Sequence, residues 1–139
     1  MITGTGEVVA TAGGSQTLSV MRFLNDTVVI HAGETAEWTN EDPITPHTIT
    51  FGTEPKDPLP PSANITVDAD GSRHATITSV FDSVHSGFVI AAPQDGIGLP
   101  QAPIGATRFR ITLTKPGAYP FICALHNDLG MKGKVIVLP

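Results

Sequence analysis

The sequence predicts an all-β protein, a β-sandwich, and three observations carry that expectation. Apolar residues fall in short runs separated by Gly, Pro, Asn and Asp, the pattern of strands and turns. The 14 Gly and 12 Pro exceed what a helical domain accommodates and suit a chain that reverses direction often. Hydrophobic residues make up 40% and charged residues 15% of the 139 positions, a composition that folds around an apolar core.

The elements follow in order. Residues 18–24 and Thr27–His31 are apolar-rich runs split by Asn25 and Asp26, a turn pair. Ala32, Gly33 and Glu34 mark a turn before residues 35–39, where alternation puts Ala36 and Trp38 on one face, toward a core. Residues 47–51, 75–78, 107–113, 118–123 and 133–138 complete the strands, and short strands with Gly, Pro and Asp between them predict a sandwich. One stretch is different. Residues 52–106 carry Pro55, Pro58, Pro60, Pro61, Pro93, Pro100 and Pro103, with few apolar segments. Phe81, Val84, His85 and Phe88 have helical spacing there, although Gly87 and β-branched neighbours weaken a helix. The expectation is one domain over residues 1–139 with an irregular, Pro-rich insertion at about 53–106.

Charge and cysteine content narrow the function classes. A net charge of −5, with only 8 scattered Lys and Arg, argues against nucleic acid, which needs a clustered basic surface. The single cysteine, Cys123, rules out an internal disulfide framework. No apolar run reaches the roughly 18–20 residues of a membrane helix. The start, Met1 to Gly6, lacks the basic and apolar regions of a signal peptide, as an excised or mature domain would; a periplasmic or extracellular location is expected.

The chemistry concentrates near the C-terminus. Cys123, His126 and Met131 stand in a C-x2-H-x4-M spacing, between a strand ending at the cysteine and another beginning just after the methionine. That loop can aim a thiolate, an imidazole and a thioether at one point. Two imidazoles, one thiolate and a distant thioether form the ligand set of blue copper electron-transfer sites. His47, which follows Pro46 at a loop-to-strand junction, is the best candidate for the second imidazole. Zinc fits less well, because a thioether is a poor zinc ligand and neither C-x2-C nor H-x3-H occurs. A binuclear copper centre needs two cysteines. A cysteine hydrolase needs an oriented base and an oxyanion segment, and no Gly-rich candidate accompanies Cys123.

These segments resemble the plastocyanin-type branch of the cupredoxins, the type 1 (blue) copper proteins. Residues 37–40 with 46–51 resemble that family's first-histidine segment, and residues 119–137 resemble its C-terminal ligand loop. The likeness covers the opening third and closing quarter of the chain. It implies a Greek-key sandwich holding one copper ion, cycling between Cu(I) and Cu(II), through His47, Cys123, His126 and Met131. It further implies a monomeric electron carrier whose donor and acceptor proteins dock near His126, over Leu125, Leu129, Phe88 or Pro93. Copper enzymes of this kind wire a second copper through a His adjacent to the cysteine; Ile122 and Ala124 occupy those places, so no enzymatic activity is expected. The alternative is a copper-binding module excised from a larger multidomain or membrane-attached redox protein. Two departures stand out. Thr48 replaces the usual Asn after the first histidine, and Ile122 replaces the usual aromatic before the cysteine. Of the other histidines, His31 and His74 are expected at the surface and His85 at a rim. Met21 is expected in the core, and Glu41 and Asp42 in a solvated loop.

Overall fold

A computed structural model describes residues 2–6, 8–13, 16–23, 25–40, 45–90 and 107–139; along residues 2–21 only the backbone is described. Its strands in chain order are β1 (Ile2–Gly6), β2 (Val8–Gly13), β3 (Gln16–Met21), β4 (Thr27–His31), β5 (Thr35–Asn40) and β6 (Thr50–Phe51). β7 (Thr66–Val67), β8 (Arg73–Ile77), β9 (Val84–His85), β10 (Arg108–Leu113), β11 (Gly117–Ile122) and β12 (Lys132–Leu138) follow. One sheet has the order β1-β5-β10-β8-β7, a second the order β4-β12-β11-β6-β9, and β2 and β3 pair separately. Consecutive strands β4 and β5, like β10 and β11, lie in different sheets, so the chain crosses the sandwich repeatedly. The expected all-β sandwich is the observed fold.

Alternation decides which face is buried. Val28 and Ile30 of β4, Phe109, Ile111 and Leu113 of β10, and Val135 and Val137 of β12 point inward, while their neighbours are more exposed. Four rings join the sheets. Phe121 packs edge-on against Phe23 at 4.9 Å and Trp38 at 5.3 Å, and lies 5.5 Å from Phe51. Trp38 comes from the first sheet and Phe51 and Phe121 from the second, two residues before Cys123, so this cluster anchors the end of β11.

Two regions add strands to those expected. Strands β1 and β2 precede residue 18, in a stretch of Gly, Ala, Thr and Val with no amphipathic alternation. Their order comes from pairing, β1 lying parallel to β5 and β2 antiparallel to β3. Within the segment expected as an irregular insertion, the strand expected at 75–78 is β8, which joins one sheet together with β7, while β9 joins the other. Ala75 and Ile77 bury against the core, and β8 pairs parallel with β10. The helical spacing around Phe81 forms no helix. Gly87 sits at φ 69, and a Cβ there would lie 2.8 Å from the Pro61 nitrogen, so the chain turns under the Pro-rich strap. Residues 91–106 with Pro93, the side chain of Met21, and the loop with Glu41 and Asp42 lie outside the described residues and side chains.

His74 is not a free surface residue. Its Nδ1 meets the Asp68 carboxylate at 2.8 Å and its Nε2 meets Thr112 Oγ1 at 2.7 Å. Beside it Arg110 binds Glu37 at 2.7 Å, Asp68 at 3.0 Å and Asp70 at 2.7 Å. The Glu37 and Arg110 side chains are only 10% and 13% exposed. Arg110→Ala therefore strands a buried carboxylate, and chemical denaturation should show a loss of about 3 kcal/mol. Adding Glu37→Gln should recover part of it. Asp68 and Asp70 are held below their ordinary 3.8, chiefly by hydrogen bonds from His74 and Arg110 respectively. The unfolded chain then binds more protons than the folded one as pH falls below that value. Their stabilisation is complete above it and lost as pH drops through the folded values. Acid unfolding of Arg110→Ala should accordingly show a shallower acid limb than the parent protein.

Candidate metal centre

Three of the four expected donors, His47, Cys123 and His126, meet at one end of the sandwich. Nδ1 of His47 lies 3.8 Å and Nδ1 of His126 lies 3.4 Å from Cys123 Sγ, and the two imidazole rings stand 5.0 Å apart. All three ligand atoms fall within 4.8 Å of one another. A metal bound with about 2.0 Å to nitrogen and about 2.3 Å to sulfur at a trigonal angle separates the two donors by about 3.7 Å. The observed separations bracket that value. His47 and Cys123 are buried, and His126 is half-buried.

Each position has a local cause. The His47 backbone pairs with Val89 by two hydrogen bonds, N to O at 3.0 Å and O to N at 2.8 Å. Asn40, at the end of β5, donates from Nδ2 to the same Val89 carbonyl at 2.8 Å and to the Thr45 carbonyl at 2.9 Å, tying the loop before His47. Cys123 follows β11, and its amide donates to the Met131 carbonyl at 3.0 Å. The His126 amide donates to the Cys123 carbonyl at 3.1 Å, and the Met131 amide to the His126 carbonyl at 3.2 Å. A single 3₁₀ turn, Asn127–Leu129, joins these points and ends at Gly130 with φ 84. Arg22 donates to the Gly130 carbonyl at 2.9 Å, clamping the residue before Met131. The Met131 side chain is wholly buried in the core cluster that also contains Cys123.

Thr48, which stands where Asn is usual, ties the His47 segment to the cysteine loop. Its amide donates to Cys123 Sγ at 3.4 Å, and its hydroxyl accepts from the Ala124 amide at 2.7 Å. Burial pushes the Cys123 thiol above its ordinary 9.0, with the amides around the sulfur acting in the opposite sense. Without a metal the group is a neutral thiol at pH 7, and any metal that binds must displace its proton.

The remaining histidines stay outside this group. His31 is exposed beside Glu34. His85 is not at a rim: it is 3% exposed and bonds to Thr50 and Pro58. The hydrogen bonds of Asn40, Arg22 and the Thr50–His85 pair are contacts that the sequence did not reveal. Asn40 stood inside the segment 37–40 that carried the resemblance, and that was the one available signal.

Comparison with known proteins gives a family and a fold. The sequence profile described as copper binding proteins, plastocyanin/azurin family, matches residues 9–138. Among solved structures, an oxidised methionine-to-lysine mutant of amicyanin superposes with a TM-score of 0.54 at 14% identity, covering 99% of this chain and 81% of that one. The Cu(I) form of a methionine-to-alanine mutant of amicyanin gives 0.53 at 15% identity, with the same coverage. Oxidised plastocyanin from Dryopteris crassirhizoma gives 0.47 at 21% identity, covering 86% of this chain and 91% of that one. The two amicyanin matches are likenesses of fold. No curated protein matches the chain by sequence.

Proposed function

Because the chain belongs to the plastocyanin/azurin family of copper-binding proteins, we propose that it is a type 1 copper protein that passes single electrons between redox partners. One ion is held by His47, Cys123, His126 and Met131. The observation that carries the reading is the convergence of two Nδ1 atoms and one Sγ at separations a trigonal metal site requires. Copper bound there supplies a one-electron couple, and a rigid trigonal site serves both of its oxidation states.

The protein's part is to hold that geometry. Cys123 and Met131 are fully buried and His47 nearly so, which excludes water from three sides. The sandwich core and the clamps from Asn40, Thr48 and Arg22 keep the donors from moving when the charge changes. His126 is the donor with access to solvent and the natural exit for an electron. Leu129, 60% exposed on the turn after it, offers an apolar contact for a docking partner. With Ile122 and Ala124 beside Cys123, no neighbouring imidazole links the thiolate to a second metal, which favours a carrier over an enzyme. Among the described residues no helix is long and apolar enough to cross a membrane.

Voltammetry of the copper-loaded protein tests this reading. A reversible one-electron wave is expected, with self-exchange slowed when Leu129 is replaced by Glu. An irreversible wave, or a copper form that cannot be re-oxidised, contradicts it.

A further inference from the structure

A buried line of hydrogen bonds runs from the cysteine loop to the Pro-rich strap. The Ala124 amide donates to Thr48 Oγ1 at 2.7 Å. The Thr48 and Thr50 hydroxyls lie 3.0 Å apart, and Thr50 Oγ1 lies 2.8 Å from His85 Nδ1. His85 Nε2 lies 2.8 Å from the Pro58 carbonyl oxygen. Thr48 and Thr50, two residues apart, share one side of the chain, while Ile49 and Phe51 enter the core on the other. His85 faces Thr50 because the two are paired across β6 and β9. Thr48, Thr50 and His85 are all at most 3% exposed.

Both ends of the line have a fixed polarity. A carbonyl only accepts, so His85 Nε2 carries a hydrogen and donates to Pro58. An amide only donates, so Thr48 Oγ1 accepts from Ala124. The neutral ring then accepts at Nδ1, Thr50 donates to it, and Thr48 donates to Thr50. Every hydrogen in the line has an acceptor. The reverse direction leaves the Thr48 hydroxyl hydrogen without a place in it, a costly arrangement where no water reaches.

We propose that His85 is a positioning residue for the metal centre. Held by Pro58, it fixes the Thr50 and Thr48 hydroxyls, and through them the amide next to Cys123; the inference rests on the copper reading given above. It also gives the Pro-rich strap a task. That strap is set by the Leu59 amide on Asp57 Oδ1 at 3.0 Å and by the close seat of Gly87 beneath Pro61.

Two variants and two states of the protein test the proposal. In metal-free protein, His85→Leu and Thr50→Val should each speed hydrogen exchange of the Ala124 amide by about tenfold, the effect of weakening one buried hydrogen bond. In copper-loaded protein, each should shift the reduction potential and weaken copper binding by about tenfold. The double variant should do no more than either single one, and His85→Gln, which keeps a donor and an acceptor, should restore part of the loss. Should His85→Leu fail to fold, the near-isosteric Thr50→Val still decides. Lowered stability with Ala124 exchange and potential unchanged makes His85 a packing residue and overturns the proposal. If the parent protein takes up no copper as a type 1 site, the function proposed above fails instead, and exchange in the metal-free protein still judges the line.

Discussion

Cys123→Ser should abolish the intense visible absorption of the copper-loaded protein, because that absorption is charge transfer from a thiolate and a serine hydroxyl cannot supply it. The affinity loss should exceed the roughly 10–100-fold that follows from changes to groups behind the ligands. The substitution is nearly isosteric in a fully buried site, so the fold should survive it and the loss can be assigned to the sulfur. A pH signature accompanies the sulfur. Burial raises the thiol's pKa, so the metal-free protein is protonated at pH 7 and binding must release that proton. Below the folded pKa each unit of falling pH should therefore weaken binding about tenfold through this group alone. Calorimetry between pH 7 and 8, in buffers of different ionisation enthalpy, should count one proton released by the parent protein and none from this position in Cys123→Ser.

Phe121→Ala should cost about 3–5 kcal/mol of folding stability, the range for an aromatic truncated in a packed core. Phe121 is 1% exposed and touches three other rings drawn from both sheets, so the cavity has no flexible neighbour to fill it. Its second effect is on the site. With the end of β11 loosened, the Cys123 amide should exchange faster and copper binding should weaken even though no ligand has changed. Denaturant unfolding measures the first effect and a copper titration the second. A variant that keeps parental stability would mean that the four-ring cluster does not join the sheets.

The parts of the site legible in the sequence are those whose geometry is local. The proposed donors Cys123, His126 and Met131 lie within one loop, and most of the amides that shape it bond to carbonyls inside it, so spacing constrains the arrangement. His47 was legible for another reason: it follows Pro46 at the start of an apolar strand, where a loop-to-strand junction can aim a side chain at the end of the sandwich. The strands with alternating large residues were equally readable, since period two writes the buried face into the order of residues. Pairing over long separations was not. His85 meets Thr50 across 35 residues and Pro58 across 27, and neither distance leaves a trace in composition. Arg110 gathers Glu37 from one segment and Asp68 and Asp70 from another, each of which reads alone as an ordinary charged surface position. Strands β1 and β2 escaped because small residues carry no facial pattern, and only the neighbouring backbone defines them.

His47, Cys123, His126 and Met131 would together hold one copper ion. Adding copper(II) in steps to the metal-free protein, while recording visible absorption and paramagnetic resonance, examines this most directly. An intense blue colour that saturates at one equivalent, with a narrow copper hyperfine pattern, is the expected result. A colourless complex with the wide hyperfine pattern of tetragonal copper would contradict it.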